Sequence, residues 1–201
     1  MPGISFRNQL DESLAVLQSL HAQADQVEQI TAFVTSALLA GRTLFTCGNG
    51  GSATDALHLA EELVGRYRGD RRPLAAVCLG ADVTALTCIA NDYGYEQIFA
   101  RQLQALARPG DLLLCFSTSG VSPNILAALT SARACGVVSI ALLGKDGGPA
   151  RTLADHVLVV ASRNTARIQE AHTLLLHAVC EAVEQALLPG NAEMNECNQG
   201  Q

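Results

Sequence analysis

Residues 43–53 read TLFTCGNGGSA and decide the fold of this chain. The apolar run 43–47 predicts a strand, and the glycine-rich turn after it leads into residues that can begin a helix. Glycines in such a turn let a ligand approach the backbone closely, and free N–H groups at a helix N-terminus attract anions. The stretch therefore predicts an α/β domain with an anion site where this strand ends.

Residues 112–122, LLLCFSTSGVS, repeat the pattern with hydroxyl side chains. Ser117, Thr118, Ser119 and Ser122 can donate hydrogen bonds to a phosphate group together with backbone N–H groups. A serine-rich helix cap explains the same residues equally well when the stretch is taken alone. Two such turns favour the phosphate site, because the carboxyl ends of parallel strands meet at one crevice of the sheet.

A dinucleotide site is the alternative explanation of the first turn, since GNGGSA satisfies the pattern G-x-G-x-x-A. That pattern requires an acidic residue about 20 residues further on, at the end of the second strand, to bind a ribose. The second predicted strand ends at Leu79 without an acid, and Asp82 lies more than thirty residues after Gly48. The sequence therefore disfavours a nicotinamide cofactor.

Apolar runs alternate with helical patterns after residue 42. This alternation predicts parallel strands joined by helices that cover both faces of the sheet. The predicted strands are 43–47, 74–79, 111–116, 137–143 and 156–160, and the predicted helices lie near 52–67, 94–107, 121–135, 147–154 and 165–188. The sequence thus predicts one three-layer, doubly wound α/β domain over 1–190, with N-terminal helices in 1–41, the α/β core in 42–190 and a flexible tail in 191–201.

Composition excludes several classes of function. The chain has 201 residues, 13 Lys and Arg against 19 Asp and Glu, and a net charge of −6. It lacks the basic excess that direct nucleic-acid binding requires, and neither a membrane span nor a signal peptide is expected. Seven cysteines without a C-x-x-C pair indicate reduced thiols in a cytoplasmic protein. Apolar helices at both ends of the chain indicate an oligomer.

Two predicted helices carry side chains that can bind a metal. His58 and Glu62 are four residues apart and share a helix face, which makes them a usable half of a divalent metal site. Gln169 and His177 are eight residues apart on one side of the last helix. Spacing alone leaves the alternatives open, because His and Glu at this spacing form common surface pairs and a histidine beside leucines is often a core residue.

Several motifs together resemble the phosphoheptose isomerase family of sugar isomerase (SIS) domains. The motifs are GNGGS, HLAEELVGRYR, IANDYG, STSGVS, GKDGG and RIQEAH followed by a second histidine. They occur in the same order and at matching spacing, and the resemblance covers about residues 5–188. The resemblance implies a doubly wound sheet with flavodoxin-like strand order. It also implies an enzyme that converts sedoheptulose 7-phosphate to D-glycero-D-manno-heptose 7-phosphate through an enediol, as the first step of nucleotide-activated heptose biosynthesis.

The resemblance further implies a site, a cofactor and an assembly. One Zn²⁺ per subunit would be held by His58, Glu62, Gln169 and His177, with Glu62 and His177 as the acid/base pair. The protein would be a cytoplasmic homotetramer with active sites at its interfaces, serving lipopolysaccharide or another heptose-containing product. Expected contacts with the phosphorylated seven-carbon sugar are Asn49, Gly50, Gly51, Ser52, Glu62, Arg66, Asn91, Asp92, Ser117, Thr118, Ser119, Ser122 and Gln169.

Two other functions fit the same resemblance. One is a non-catalytic SIS protein that binds a replication initiator, and the other is an isomerase or sensor of another sugar phosphate. Ala53 and Ala166 stand where many relatives have other side chains, which bears on substrate preference. The product anomer, the final heptose product and the identity of the metal in the cell stay open at this stage.

Overall fold

A computed structural model describes residues 5–187, so the predicted flexible tail lies outside the described residues. Its centre is a five-stranded sheet in the order β2-β1-β3-β4-β5, with every neighbouring pair parallel. The strands are β1 Leu44–Gly48, β2 Ala76–Cys78, β3 Leu112–Ser117, β4 Val138–Gly144 and β5 His156–Val160. This arrangement confirms the doubly wound α/β fold, and each strand lies within two residues of its predicted bounds.

Eight α-helices are present within residues 5–187. They are α1 Phe6–Ser19, α2 Ala24–Leu39, α3 Gly51–Val64, α4 Val83–Tyr93, α5 Ala100–Leu106, α6 Pro123–Ala134, α7 Ala150–Leu153 and α8 Thr165–Leu187. Short 3₁₀ turns at Leu20–Gln23 and Tyr95–Gln97 join α1 to α2 and α4 to α5. None of these helices is both long enough and apolar enough to cross a membrane.

Helix α4 is the element that the sequence analysis missed, because it placed the first helix of this region at 94–107. The Asp82 carboxylate caps α4 by accepting the N–H groups of Thr84 and Ala85, at 2.9 and 3.0 Å. Leu86 and Ile89 pack one side of the helix against the core. An aspartate before apolar residues at helical spacing is a start signal, so the sequence contained this helix.

Alternate side chains of the strands build two separate cores. Leu112 and Leu114 of β3 point to the face covered by α1, α2, α3 and α8, whereas Leu113 and Cys115 point to the face covered by α5, α6 and α7. This follows from the period of two in a strand. Because both faces are buried, β3 is apolar at nearly every position, as expected for a parallel sheet covered on both sides.

The N-terminal helices protect one edge of the sheet. The side-chain amide of Gln23 donates to the carbonyl of Val159 at 3.2 Å, and that of Gln26 donates to the carbonyl of Val157 at 2.6 Å. Strand β5 lies at the end of the sheet, so its outer carbonyls have no partner strand. The two glutamines satisfy carbonyls that would otherwise offer pairing to another chain.

Candidate active site

Two turns meet at the carboxyl end of the sheet. Gly48 at the end of β1 is in register with Phe116 of β3, so the chain leaves both strands side by side. The turn after β1 leads into α3 at Gly51, and the turn after β3 leads into α6 at Pro123. The N-termini of two helices therefore flank one crevice, as the sequence analysis expected.

The first turn needs glycine for steric reasons. Gly50 has a φ of +57°, which side chains rarely adopt. A Cβ on Gly48 would overlap the backbone carbonyl of Ser52, and a Cβ on Gly51 would lie 2.8 Å from the amide carbon of Gln169. Glycine is therefore required at these three positions, by the φ of Gly50 and by close contacts at Gly48 and Gly51.

The second turn is shaped by its own hydroxyls. Ser117 Oγ accepts the N–H of Gly120 at 3.0 Å, and Ser119 Oγ accepts the N–H of Val121 at 3.4 Å. Gly120 has a φ of +65°, and a Cβ there would overlap the carbonyl of Gly147. Gly147 of the GKDGG motif therefore packs directly against Gly120 of the STSG turn.

A small polar pocket of about 50 Å³ lies between the two turns. It is lined by Asn49, Ser52, Phe116, Ser117, Thr118, Ser119 and Ser122. Six of these seven residues carry an amide or a hydroxyl, and all six were expected to contact the sugar phosphate. Hydroxyl donors beside two helix N-termini suit a phosphate group.

Asn124, which the sequence analysis did not select, joins the two turns. Its amide nitrogen donates to Asn49 Oδ1 at 2.8 Å, and its Oδ1 accepts from the amide nitrogen of Asn49 at 2.9 Å. The Tyr95 hydroxyl also donates to Asn49 Oδ1, at 3.1 Å. Asn124 is 1% exposed, so this reciprocal pair is shielded from water. The sequence does not show that Asn124 and Asn49 are neighbours, because the two residues are 75 positions apart in the chain.

His58, Glu62 and His177 form one cluster of potential metal ligands between α3 and α8. One donor atom from each lies within 4.8 Å of the other two. His58 Nε2 is 3.2 Å from Glu62 Oε1, and the two imidazole rings meet edge to face at 5.0 Å between centroids. The Tyr67 ring stacks on His177 at 5.6 Å. Two imidazoles and a carboxylate match the three-ligand sites that bind catalytic zinc.

The Gln169 amide lies beside Gly51, at the start of α3. Helices α3 and α8 run in the same direction, and Gln169 faces Gly51, whereas His177 faces His58. Seven residues separate Gly51 from His58, which is about 10 Å along a helix. The structure thus brings His58, Glu62 and His177 together and places the Gln169 amide beside Gly51. The role of Gln169 as a fourth ligand stays a prediction.

Asp55 is a buried acid between these two positions. Its Oδ1 accepts the Thr173 hydroxyl at 2.9 Å, and its Oδ2 has no partner. Burial raises the pKa of the Asp55 carboxyl, although the hydrogen bond from Thr173 and the charge of His58 partly oppose the shift. The sequence analysis did not select this residue, because one aspartate on a helix carries no signal by itself.

The far end of α3 is fixed by two charged side chains. Arg71 donates to the carbonyls of Leu63 at 2.8 Å and Glu62 at 2.5 Å, which satisfies acceptors that a helix end leaves free. Glu184 of α8 accepts the N–H groups of residues 67–69 at 2.8 to 3.2 Å. These contacts hold the segment that carries Tyr67 against α8.

Three other expected contacts lie outside both the pocket and the cluster. Arg66 is exposed just beyond the end of α3. Asn91 and Asp92 are exposed on α4, where the Asn91 amide donates to Asp92 Oδ1 at 2.7 Å. Their roles toward the substrate stay predictions.

Comparisons with known proteins identify the family to which the chain belongs. Residues 8–144 match the sequence profile of the SIS domain. The chain is 47% identical over 173 residues to a phosphoheptose isomerase from Roseiflexus sp. (strain RS-1), covering 85% of this chain and 86% of the relative. It is 45% identical over 185 residues to one from Akkermansia muciniphila, covering 92% and 98%.

A solved structure is similar over nearly the same range. The structure of phosphoheptose isomerase from Neisseria gonorrhoeae superposes with a TM-score of 0.84 at 38% sequence identity, covering 89% of this chain and 96% of that chain. The chain thus spans almost the whole length of these relatives.

Proposed function

Because this chain belongs to the SIS-domain family of phosphoheptose isomerases, we propose that it interconverts sedoheptulose 7-phosphate and D-glycero-D-manno-heptose 7-phosphate. The observation that carries this proposal is the cluster of His58, Glu62 and His177 beside a phosphate-sized pocket. The reaction is the first step of nucleotide-activated heptose biosynthesis.

The pocket would bind the phosphate of the sugar. Hydroxyls of Ser52, Ser117, Ser119 and Ser122 line it, and the N-termini of α3 and α6 add partial positive charge. Binding a remote phosphate fixes the position of the reacting end and so contributes to the rate. Gln169, beside the first turn of α3, is placed to contact the sugar between phosphate and cluster.

The separation of pocket and cluster suits a long substrate. The cluster lies about 10 Å further along α3 than Gly51, by the rise of a helix. In sedoheptulose 7-phosphate the reacting carbons C1 and C2 are at the opposite end of the chain from the phosphate. A substrate held by its phosphate in the pocket would therefore extend its carbonyl toward His58, Glu62 and His177.

Proton transfers at C1 and C2 require a base and an acid. The Glu62 carboxylate would remove the proton from carbon and return it to the neighbouring carbon, and the His177 imidazole would move a proton between O1 and O2. Both side chains are only partly exposed, which favours their orientation by neighbours. The Tyr67 ring stacked on His177 holds the imidazole plane.

A zinc ion is the cofactor that this donor set would hold, one per subunit. His58, Glu62 and His177 are the ligands that the clustered donor atoms support, and Gln169 of α8 would be the fourth. When bound, the ion would polarise the substrate carbonyl and stabilise negative charge on its oxygen.

The assembly that we propose is a homotetramer in the cytoplasm, with its active sites at subunit interfaces. Exposed apolar side chains on α1 and α8 support an interface there: Phe6 is 77% exposed, and Leu10, Leu14 and Leu174 are each nearly half exposed. Leu14 and Leu174 also line a groove between α1, α2 and α8 whose walls are mainly apolar side chains. Burial of such a face against other subunits would remove apolar surface from water.

The decisive test is turnover of sedoheptulose 7-phosphate by the purified protein, with and without a zinc chelator. We expect Glu62→Gln and His177→Ala to abolish measurable turnover, because each removes an acid/base group that is also a proposed metal ligand. Glu61→Gln is the matched control, since Glu61 is the exposed neighbour of Glu62 on α3. The control should turn over at the wild-type rate.

A folded, zinc-loaded wild-type protein without turnover would overturn the isomerase proposal. Assays with other ketose phosphates then decide whether the pocket serves another sugar phosphate. Activity that survives complete removal of metal would overturn the zinc proposal alone.

A further inference from the structure

Asp55 presents an unpaired carboxylate oxygen in the interior beside the proposed metal site. The residue is 7% exposed, and its Oδ2 has no hydrogen-bond partner. A buried acceptor without a partner destabilises the fold, and more so when it is charged. Oδ1 of the same carboxylate accepts the Thr173 hydroxyl at 2.9 Å, so Oδ2 is the oxygen that remains for another donor.

The member of the metal-ligand cluster that follows Asp55 on α3 is His58. The two residues are three apart on α3, so their side chains lie on the same face of the helix. They interact electrostatically, since His58 stabilises the Asp55 carboxylate. The Nε2 atom of His58 is turned toward Glu62, at 3.2 Å. Because Nε2 is engaged with Glu62, Nδ1 is the ring nitrogen that remains available to a second partner.

We propose that Asp55 is a positioning residue for the metal site, whose Oδ2 accepts the Nδ1–H of His58 when His58 Nε2 binds the ion. A metal-bound histidine nearly always donates its second N–H to a carboxylate, a carbonyl or water, and that partner fixes the ring. Thr173 holds the carboxylate from α8, so the pair also ties the two metal-binding helices together. The inference rests on the proposed function only through the metal site.

The competing explanation is a purely structural acid that joins α3 to α8 through Thr173. Both explanations predict lower stability when Asp55 is replaced. Only a positioning role predicts weaker metal binding and altered ligand geometry in a protein that is still folded. The test therefore measures metal binding and metal spectroscopy rather than turnover.

The experiment compares wild type, Asp55→Asn and Thr173→Val, each stripped of metal and shown to be folded by circular dichroism. Zinc affinity is measured by competition with a chromophoric chelator, and the visible absorption spectrum is recorded after loading with Co²⁺. We expect Asp55→Asn to weaken zinc binding by about 10- to 100-fold and to shift the Co²⁺ bands. Thr173→Val should weaken binding less, because the carboxylate remains but is less well held.

Asp111→Asn is the matched control. Asp111 is 6% exposed, and its carboxylate accepts backbone N–H groups of Thr43 and Arg108 at 2.9 and 2.8 Å. It lies just before β3, at the amino-terminal end of the strands, whereas the site lies at their carboxyl end. The same chemical change there should leave zinc affinity and the Co²⁺ spectrum unchanged.

Each outcome decides a separate point. Wild-type zinc affinity and an unchanged Co²⁺ spectrum in folded Asp55→Asn overturn the role of Asp55 and leave the isomerase proposal intact. If Asp55→Asn does not fold, unchanged zinc affinity in Thr173→Val overturns it instead. Failure of the wild-type protein to bind zinc overturns the metal site and this inference together.

Discussion

Acid is expected to destabilise the fold through one core histidine. His172 of α8 is fully buried, with Nε2 3.2 Å from the carbonyl oxygen of Leu143 and the Phe116 ring at 5.9 Å between centroids. Its Nδ1 has no partner. Burial lowers the pKa of His172 from 6.5 to about 4, although the hydrogen bond to Leu143 opposes the shift. The folded protein therefore holds this side chain neutral at pH 7.

The expected magnitude follows from the two pKa values. Below pH 6.5 the unfolded chain takes up a proton at His172, whereas the folded chain does so only near pH 4. Stability is thus fully present above pH 6.5 and declines as the pH falls from 6.5 to 4. At about 1.4 kcal/mol per pKa unit, the loss reaches about 3 kcal/mol at pH 4 and is about 2 kcal/mol at pH 5.

Urea unfolding at pH 7.5 and pH 5, followed by circular dichroism at one protein concentration, measures this loss. His172→Gln keeps an N–H donor for the Leu143 carbonyl but does not titrate, so its stability should fall by about 2 kcal/mol less than that of the wild type. Equal losses in wild type and His172→Gln would refute the reasoning.

Three further substitutions test the turns and the end of α3. Gly51→Ala should displace the Gln169 amide and raise the KM for sedoheptulose 7-phosphate about tenfold with zinc content unchanged, which corresponds to about 1.4 kcal/mol of binding. Gly120→Ala should lower the free energy of unfolding by about 2 kcal/mol, because its φ is +65° and the new Cβ meets a backbone carbonyl. Glu184→Gln should cost about 1 kcal/mol at pH 7, measured by urea unfolding, because the carboxylate accepts three N–H groups of residues 67–69.

The stabilisation that Glu184 provides should depend on pH. Burial raises the pKa of the Glu184 carboxyl, but the hydrogen bonds from residues 67–69 outweigh it and the pKa lies below its ordinary value. Its stabilisation is present above pH 4.5 and is lost as the pH falls through the lower, folded pKa. A larger effect of Glu184→Gln below that pKa than at pH 7 would contradict this assignment. An unchanged KM in Gly51→Ala would contradict the proposed contact between Gln169 and the substrate. Unchanged stability in Gly120→Ala would contradict the steric requirement for glycine at that position.

Much of the fold could be predicted because its signals are local. Apolar runs marked all five strands, and the glycine and serine turns identified the edge of the sheet where the pocket lies. The family could be predicted for the same reason, since its motifs are short and contiguous, and the comparisons confirmed it. Helix α4 was missed although Asp82 and Leu86 signal it, which was an error of interpretation rather than a lack of signal.

The partners of the site residues could not be predicted, because they come from distant parts of the chain. Asn49 and Asn124 are 75 residues apart, and Asp55 and Thr173 are 118 apart. Each pair depends on how two helices lie beside one another. Helical spacing placed Gln169 on the same side of α8 as His177, but only the packing of α8 on α3 shows that they face different turns of α3.

The sequence by itself determined the elements and the chemistry at their ends: apolar runs with a period of two, turns that need glycine, and imidazole and carboxylate groups at helical spacing. The tertiary structure decided which of these groups meet. It joined His58 and Glu62 to His177, set Gln169 beside the phosphate pocket and left one oxygen of Asp55 without a partner. The physical reason is that periodicity fixes the face on which a side chain lies, whereas the position of two helices along each other is fixed only when their side chains pack together.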